Sequence, residues 1–480
     1  MLRLPCVLLI YAFALAPVSS LRGQSAEQKV IRSILDKICA VYMGGEVKKI
    51  EINLRKGTLH PASYWNSNIT IKHELYEMCR SFGADSLNAL AFVIGHEFVH
   101  STQVGTVSIP FNASRVCNND NEYCHKEREA DVEGLFLAYL AGYGNYKALL
   151  PVFMDSLYGR FGIDRDNEDY PHLDERKKTT EETLRKVDLL IQLYEAATQL
   201  IAIDEYDYAE TCLSYVEKYY GGYEVKNSLG VCQMMKIIDL EEREKAFPFE
   251  ISAKLRLAGI SRDRPELKEY EKKERDTLIL RAEGYLNKAH EISGGNAGVV
   301  VNLQCLDILK GQPEKVLEID VEEVSIKQSL VKALAHFYSN ESEEAIKLWN
   351  EVAQKGGIYA KHAELNLKKD DESSAPCALI EMKSYRPDNG KKAPEIELTD
   401  DIGISIVQEA GAYIYYLFDQ NNLRLTFRSS SLPLDTFPGK LPQPNIFTEK
   451  GSMVHCPIEK MLIHFDSEGN ASNWVQYWKD

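Results

Sequence analysis

From Ser86 to Val99 (SLNALAFVIGHEFV) the chain is almost wholly apolar, the pattern of a helix buried on every side. The end of this run nevertheless carries His96-Glu97-Phe98-Val99-His100. Titratable groups in such an element are costly unless they are paired or hold a cation, so the fold must bring a partner to them. Two histidines four residues apart lie on one helical face about a turn apart, where both imidazoles reach a single cation. Imidazole suits zinc, and Glu97 falls beside the metal, placed to take a proton from water.

A tetrahedral zinc centre that does chemistry needs a third protein ligand and keeps one position for water. A pattern with glycine at 103 and histidine at 106 would supply it locally, but these positions hold Gln103 and Thr106. The other source is a carboxylate on the next helix, and Lys126-Glu127-Arg128-Glu129-Ala130-Asp131-Val132-Glu133-Gly134 offers several. Glu127 and Asp131 share a face at i, i+4, and Ala130 with Gly134 lets that helix approach closely. In this arrangement Glu127 ligates, while Asp131 accepts a hydrogen bond from the far nitrogen of one histidine. Glu129 and Glu133 stand as alternative ligands that the spacing favours less. His125 falls on a different face, and His73 lacks a second histidine at position 77.

The formal net charge of −16 argues against nucleic acid, whose phosphates need clustered lysine and arginine. Residues 1–23 read as an export signal: Arg3, an apolar run from Val7 to Ala16, then Val18-Ser19-Ser20 before cleavage. That run is short for a membrane span, which needs about 20 residues, and no later stretch is longer. The expected product is exported, periplasmic or secreted, without a transmembrane segment. In an oxidising compartment Cys117 and Cys124 are the first candidate disulfide, closing a short loop, and Cys39 with Cys79 is a second. Cys212, Cys232 and Cys305 sit at helical spacing and read as core residues.

The expected fold class is mainly α. An α+β zincin-type domain spans 24–186, with strands at Val47–Leu54 and at Asn68–Lys72 (NITIK), the latter an edge strand open to substrate by strand addition. Residues 187–375 read as a tetratricopeptide-like helical-hairpin array. Ala196-Ala197 and Leu229-Gly230 recur about 33–34 residues apart, close to that repeat's period. A charged insertion, 241–276, interrupts the array. Residues 390–480 read as a small β-rich domain with hairpins at AYIYYLFD-QNN-LRLTFRS and MLIHFDSEGNASNWVQYWKD.

His-Glu-x-x-His followed by Glu-x-x-Ala-Asp-x-x-Gly resembles the gluzincin metallopeptidases of the HtpX type. With the export signal and helical repeats, the chain looks most like the BepA-like protease–chaperones. The resemblance covers about residues 60–180 and, more loosely, 187–370. It implies one zinc per chain held by His96, His100 and Glu127, with Glu97 as base. It also implies endopeptidase activity on unfolded or misassembled polypeptides, while the repeats themselves are a candidate surface for a protein partner. The alternative is a chaperone or scaffold with a latent site. Tyr170-Pro-His172-Leu-Asp-Glu-Arg176 resembles the family's proline-containing segment, which places His172 or Arg176 near the cleft. The short gap between the motifs, with Cys117 and Cys124, is a departure from the family.

Overall fold

The computed structural model describes residues 25–44, 50–58, 60–103, 122–163, 172–241, 245–252, 255–259, 267–319 and 325–367, and the strands between 396 and 479. The segment read as an export signal and Cys117 lie outside the described residues, as does the side chain of Cys124. The protein is mainly helical, with a β-rich region toward its C-terminus.

The first helix, α1 (Ala26–Met43), starts where Ser25 and Gln28 form a reciprocal capping box, and it stops at Gly44 in the left-handed conformation. It buries Ile31, Ile34, Leu35 and Ile38, leaving Val30 and Val41 only partly covered. Three strands follow: β1 (Glu51–Arg55), β2 (Ala62–Trp65) and β3 (Asn68–Lys72). Their order, β1-β3-β2, places NITIK at the centre rather than at the edge. It pairs in parallel with β1 (Ile52 opposite Ile69) and antiparallel with β2 (Tyr64 opposite Ile69). The β2–β3 hairpin turns through Asn66 and Ser67, both at positive φ, which suits the twist of a two-residue hairpin loop. Both sides of β3 are thus occupied, and strand addition there is ruled out.

Next come α2 (His73–Arg80), the apolar α3 (Ser86–His100), α4 (Glu122–Leu140) and α5 (Tyr146–Phe161). Cys39 in α1 and Cys79 in α2 are both free and buried, so that disulfide expectation is wrong; each fills core space as a small apolar residue. Cys212, Cys232 and Cys305 are likewise free and buried, as expected.

The helical region begins with α6 (Leu173–Ala202), which runs unbroken through residue 186 and packs on α4 and α5. It continues through α7 (Tyr206–Glu217), α8 (Tyr223–Leu240), α9 (Glu269–Ser293), α10 (Ala297–Leu309), the short α11 (Glu314–Leu317), α12 (Ile326–Tyr338), α13 (Ser342–Gln354) and α14 (Gly357–Leu367). Two of its turns share one geometry. Asp204 (φ 63°) and Asn340 (φ 64°) are left-handed, and the glutamate after each donates its N–H to a carbonyl five residues back, at 2.8 Å in both. No described helix is long and apolar enough to cross a membrane.

Inside the segment read as a charged insertion lies a hairpin, β4 (Phe247–Ser252) and β5 (Leu255–Gly259). Asn302 in α10 receives the Glu250 N–H at 2.9 Å and donates to the Glu250 carbonyl at 2.7 Å, while Asn227 in α8 donates to the same carbonyl. The C-terminal strands are β6 (Ile396–Glu397), β7 (Ile402–Glu409), β8 (Ala412–Asp419), β9 (Asn422–Ser430), β10 (Ile446–Thr448), β11 (Gly451–Cys456), β12 (Met461–Asp466) and β13 (Ala471–Lys479). Both expected hairpins form, as β8–β9 and β12–β13. The sheet extends beyond them, because β10 pairs with β5 (Ile446 opposite Leu257) and recruits the mid-chain hairpin into ten strands.

Candidate metal centre

The site is built where α3 crosses α4. A Cβ on Gly95 would lie 2.5 Å from the Gly134 carbonyl oxygen, and one on Gly134 would lie 2.6 Å from the His96 nitrogen. The two backbones are therefore in direct contact, which only glycine permits. This contact sets Glu127 and Asp131, one turn apart on α4, against the histidines of α3.

His96 Nε2 and His100 Nε2 are 3.1 Å apart, His96 Nε2 and Glu127 Oε2 3.5 Å, and His100 Nε2 and Glu127 Oε1 3.2 Å. Ligands at about 2.0–2.1 Å from a tetrahedral zinc stand roughly 3.3–3.4 Å from one another, and the two nitrogens, with the Glu127 oxygen turned toward each, stand close to such separations. Neither oxygen of Glu127 has a well-aligned hydrogen-bond partner, nor does either oxygen of Glu97. A buried group of two imidazoles and a carboxylate that can hold a metal ion is thus present. Glu97 stands next to this group rather than within it.

Each histidine is fixed from behind. Asp131 Oδ1 accepts a hydrogen bond from His96 Nδ1 at 2.9 Å, and Gln103 Oε1 accepts one from His100 Nδ1 at 2.8 Å. With Nδ1 donating, Nε2 is the nitrogen left for the cation. Asp131 is held in turn by Arg176 from α6, with Nη2 2.8 Å from Oδ2, and Gln103 donates to the Lys126 carbonyl at 3.0 Å. Arg176 is buried, and its contact is to Asp131. His172 is exposed at the N-terminal cap of α6. Gln103, which the motif marks only as an absent glycine, is a support that sequence reasoning misses. The alternative ligands are engaged elsewhere: Glu133 accepts the Gly221 N–H at 2.8 Å, and Glu129 accepts from Gln103 at 3.4 Å. His125 is exposed.

Burial works against a charged imidazole at His96, but the Asp131 and Glu127 carboxylates overcome it and hold its pKa up at about 10. Burial likewise works against ionised Glu127, yet the two histidines hold its pKa down at about 2. Burial pushes Glu97 up to about 8, Glu127 adding to the effect while His96 and the nearby Tyr64 N–H oppose it. For Asp131, burial is outweighed by Arg176 and His96, and its pKa falls. At pH 7 the metal-free site therefore carries an extra proton on His96, which an incoming cation must expel, and a proton on Glu97, which the cation draws off. Glu127 is already ionised and releases none. Metal binding at pH 7 is expected to release about one to two protons and to tighten as pH rises toward 10. Titration calorimetry in buffers of different ionisation enthalpy measures this directly; release of no protons would contradict a protonated His96 and Glu97.

No protein-family model matches the chain, and no curated protein matches it.

Proposed function

We propose that this chain is an exported zinc endopeptidase of the HtpX-type gluzincin class, similar to the BepA-like protease–chaperones, that cleaves unfolded or misassembled polypeptides. The observation that carries the reading is a buried pair of imidazoles and a carboxylate close enough to share one cation, each histidine supported at Nδ1, with a second buried carboxylate beside them. A structural metal site has no use for a base at that position.

Zinc, when bound, supplies a Lewis acid that brings the pKa of water to about 7 and polarises the scissile carbonyl. The remaining work falls to the chain. Glu97 accepts the proton of the attacking water and passes it to the leaving amine; a carboxyl whose burial raises its pKa toward neutrality is suited to both steps. Asp131 and Gln103 keep both imidazoles in one tautomer throughout. An extended polypeptide is best accommodated along β2, the terminal strand on the side of the sheet that packs on α3, where the Tyr64 backbone comes near Glu97. The helical hairpins supply a surface for a client or partner, and the N-terminal segment the route of export.

A second reading, a chaperone or scaffold whose peptidase site is latent, is favoured by one observation. His96, Glu97, His100 and Glu127 are each no more than 1% exposed, so a peptide reaches them only after the site opens. Casein cleavage by the purified full chain is expected to stop with chelator and to return with about one equivalent of zinc. Zinc-loaded protein that leaves casein intact yet suppresses aggregation of an unfolded client would instead favour the second reading. Cleavage indifferent to chelators would sink the first.

A further inference from the structure

On the face of α4 turned away from the metal cluster, the described residues surround a cavity of about 510 Å3. At 100° per residue, Glu127, Asp131 and Gly134 face α3, while Glu129, Val132 and Glu133 lie about half a turn round and line this second space. Its other walls include Tyr42 from α1, Lys186 from α6, and Tyr219 and Tyr220 after α7. The volume lies within the roughly 300–1,000 Å3 of ordinary ligand pockets.

The chemistry of the walls is uneven. Glu133 accepts one backbone N–H, from Gly221 at 2.8 Å, and among the described residues no lysine or arginine lies within ion-pair distance of it. Burial pushes its pKa up to about 7, as expected of a carboxylate lacking a cation. Arg128, Lys186 and Lys218 are the lysines and arginines of the wall; Lys186 Nζ donates to the Tyr215 hydroxyl at 3.1 Å and lies 4.2 Å from the Tyr219 ring centroid, and Lys218 Nζ lies 5.5 Å from the Tyr215 ring centroid. Glu129, also on the wall, reaches Gln103, the support of His100.

We propose that this cavity is a second binding site, for the free amino end of a polypeptide, with its ammonium on Glu133 and its first side chain among Tyr42, Val132 and Tyr219. A carboxylate short of a cation and a tyrosine-rich wall together suit an ammonium attached to apolar bulk. The site shares no ligand with the metal cluster and does not depend on the peptidase reading.

The test is titration calorimetry on the full zinc-loaded chain carrying Glu97→Gln, so that the probe is not hydrolysed. The probes are the tripeptide Phe-Ala-Ala in free, N-acetylated and C-amidated forms. The free and amidated forms are expected to bind alike, and acetylation to weaken binding about tenfold or more. Adding Glu133→Gln should weaken the free peptide by a similar factor, without loss of zinc or of thermal stability, because the amide oxygen still accepts the Gly221 N–H. The proposal is overturned if the acetylated peptide binds as well as the free one, if amidation rather than acetylation abolishes binding, if the free peptide does not bind, or if Glu133→Gln changes nothing. The acetylation comparison stands even if that variant misfolds. Since heat and not turnover is measured, failure here leaves the peptidase reading intact, and the reverse holds too.

Discussion

Glu97→Gln is expected to keep its zinc and to lose about two to four orders of magnitude in turnover, the usual contribution of a positioned general base. The carboxylate is fully buried, stands beside the ligand group without belonging to it, and has no well-aligned hydrogen-bond partner on either oxygen. Glutamine matches it in size but cannot take a proton at neutral pH. Stability should move in the opposite direction. Glu97 has a folded pKa near 8, above its ordinary 4.5. Protonated, it sits comfortably in the core; as pH rises through that interval the folded state increasingly resists its ionisation, and stability falls. Glutamine removes this cost, so the metal-free variant should unfold at a higher temperature than the parent at pH 8 and nearly the same temperature at pH 4. Zinc content, casein turnover and thermal unfolding on one preparation check all three. Zinc and activity lost together would show that Glu97 is a ligand or a structural prop; undiminished cleavage would remove it from the chemistry.

Gly134→Ala should damage both the fold and the metal site. Its new methyl would lie 2.6 Å from the His96 nitrogen and 2.8 Å from the Gly95 carbonyl carbon, which are backbone atoms of a buried helix with no rotamer to change. Only separation of α3 and α4 relieves the clash, and that withdraws Glu127 and Asp131 from the histidines. The expected loss is about 3 kcal/mol, the upper end for overpacking, with metal affinity falling in parallel. Gly159→Ala is the control: a Cβ there meets nothing within 4 Å. In the interior of α5 it should be neutral or stabilise by up to about 1 kcal/mol. Denaturant unfolding with and without zinc separates the two, and a Gly134→Ala protein as stable as its parent would mean that the helices do not touch there.

The centre was legible because its parts repeat at helical spacing. His96 and His100 share one face, Glu127 and Asp131 share another, and Ala130 with Gly134 marked where the two faces meet. Gln103 was not legible, since it reaches His100 only after the chain turns out of α3 and its orientation is set by the Lys126 carbonyl of the next helix. Arg176 came from resemblance alone, for nothing in its local sequence points to Asp131. The strand NITIK was visible by its alternation, but its place in the sheet depended on Ala62–Trp65, four residues too short to declare a strand, joined through a turn without glycine. Cys39 and Cys79 fit an interior position but not a bonded pair, because burial follows from periodicity whereas bonding depends on where two Cβ atoms end up. In the charged segment, FPFEIS gave too little alternation to reveal strands whose partner lies far downstream.

That distant pairing has a bearing on biosynthesis. β5 exposes a line of backbone donors and acceptors until β10, roughly two hundred residues later, is available to cover it. While the ribosome is still making the last helices, the nascent chain therefore displays an adhesive border to anything extended nearby, other copies of itself included. Closure of that seam, rather than completion of the helices, is the event after which the newborn protein no longer needs to be kept apart from its neighbours.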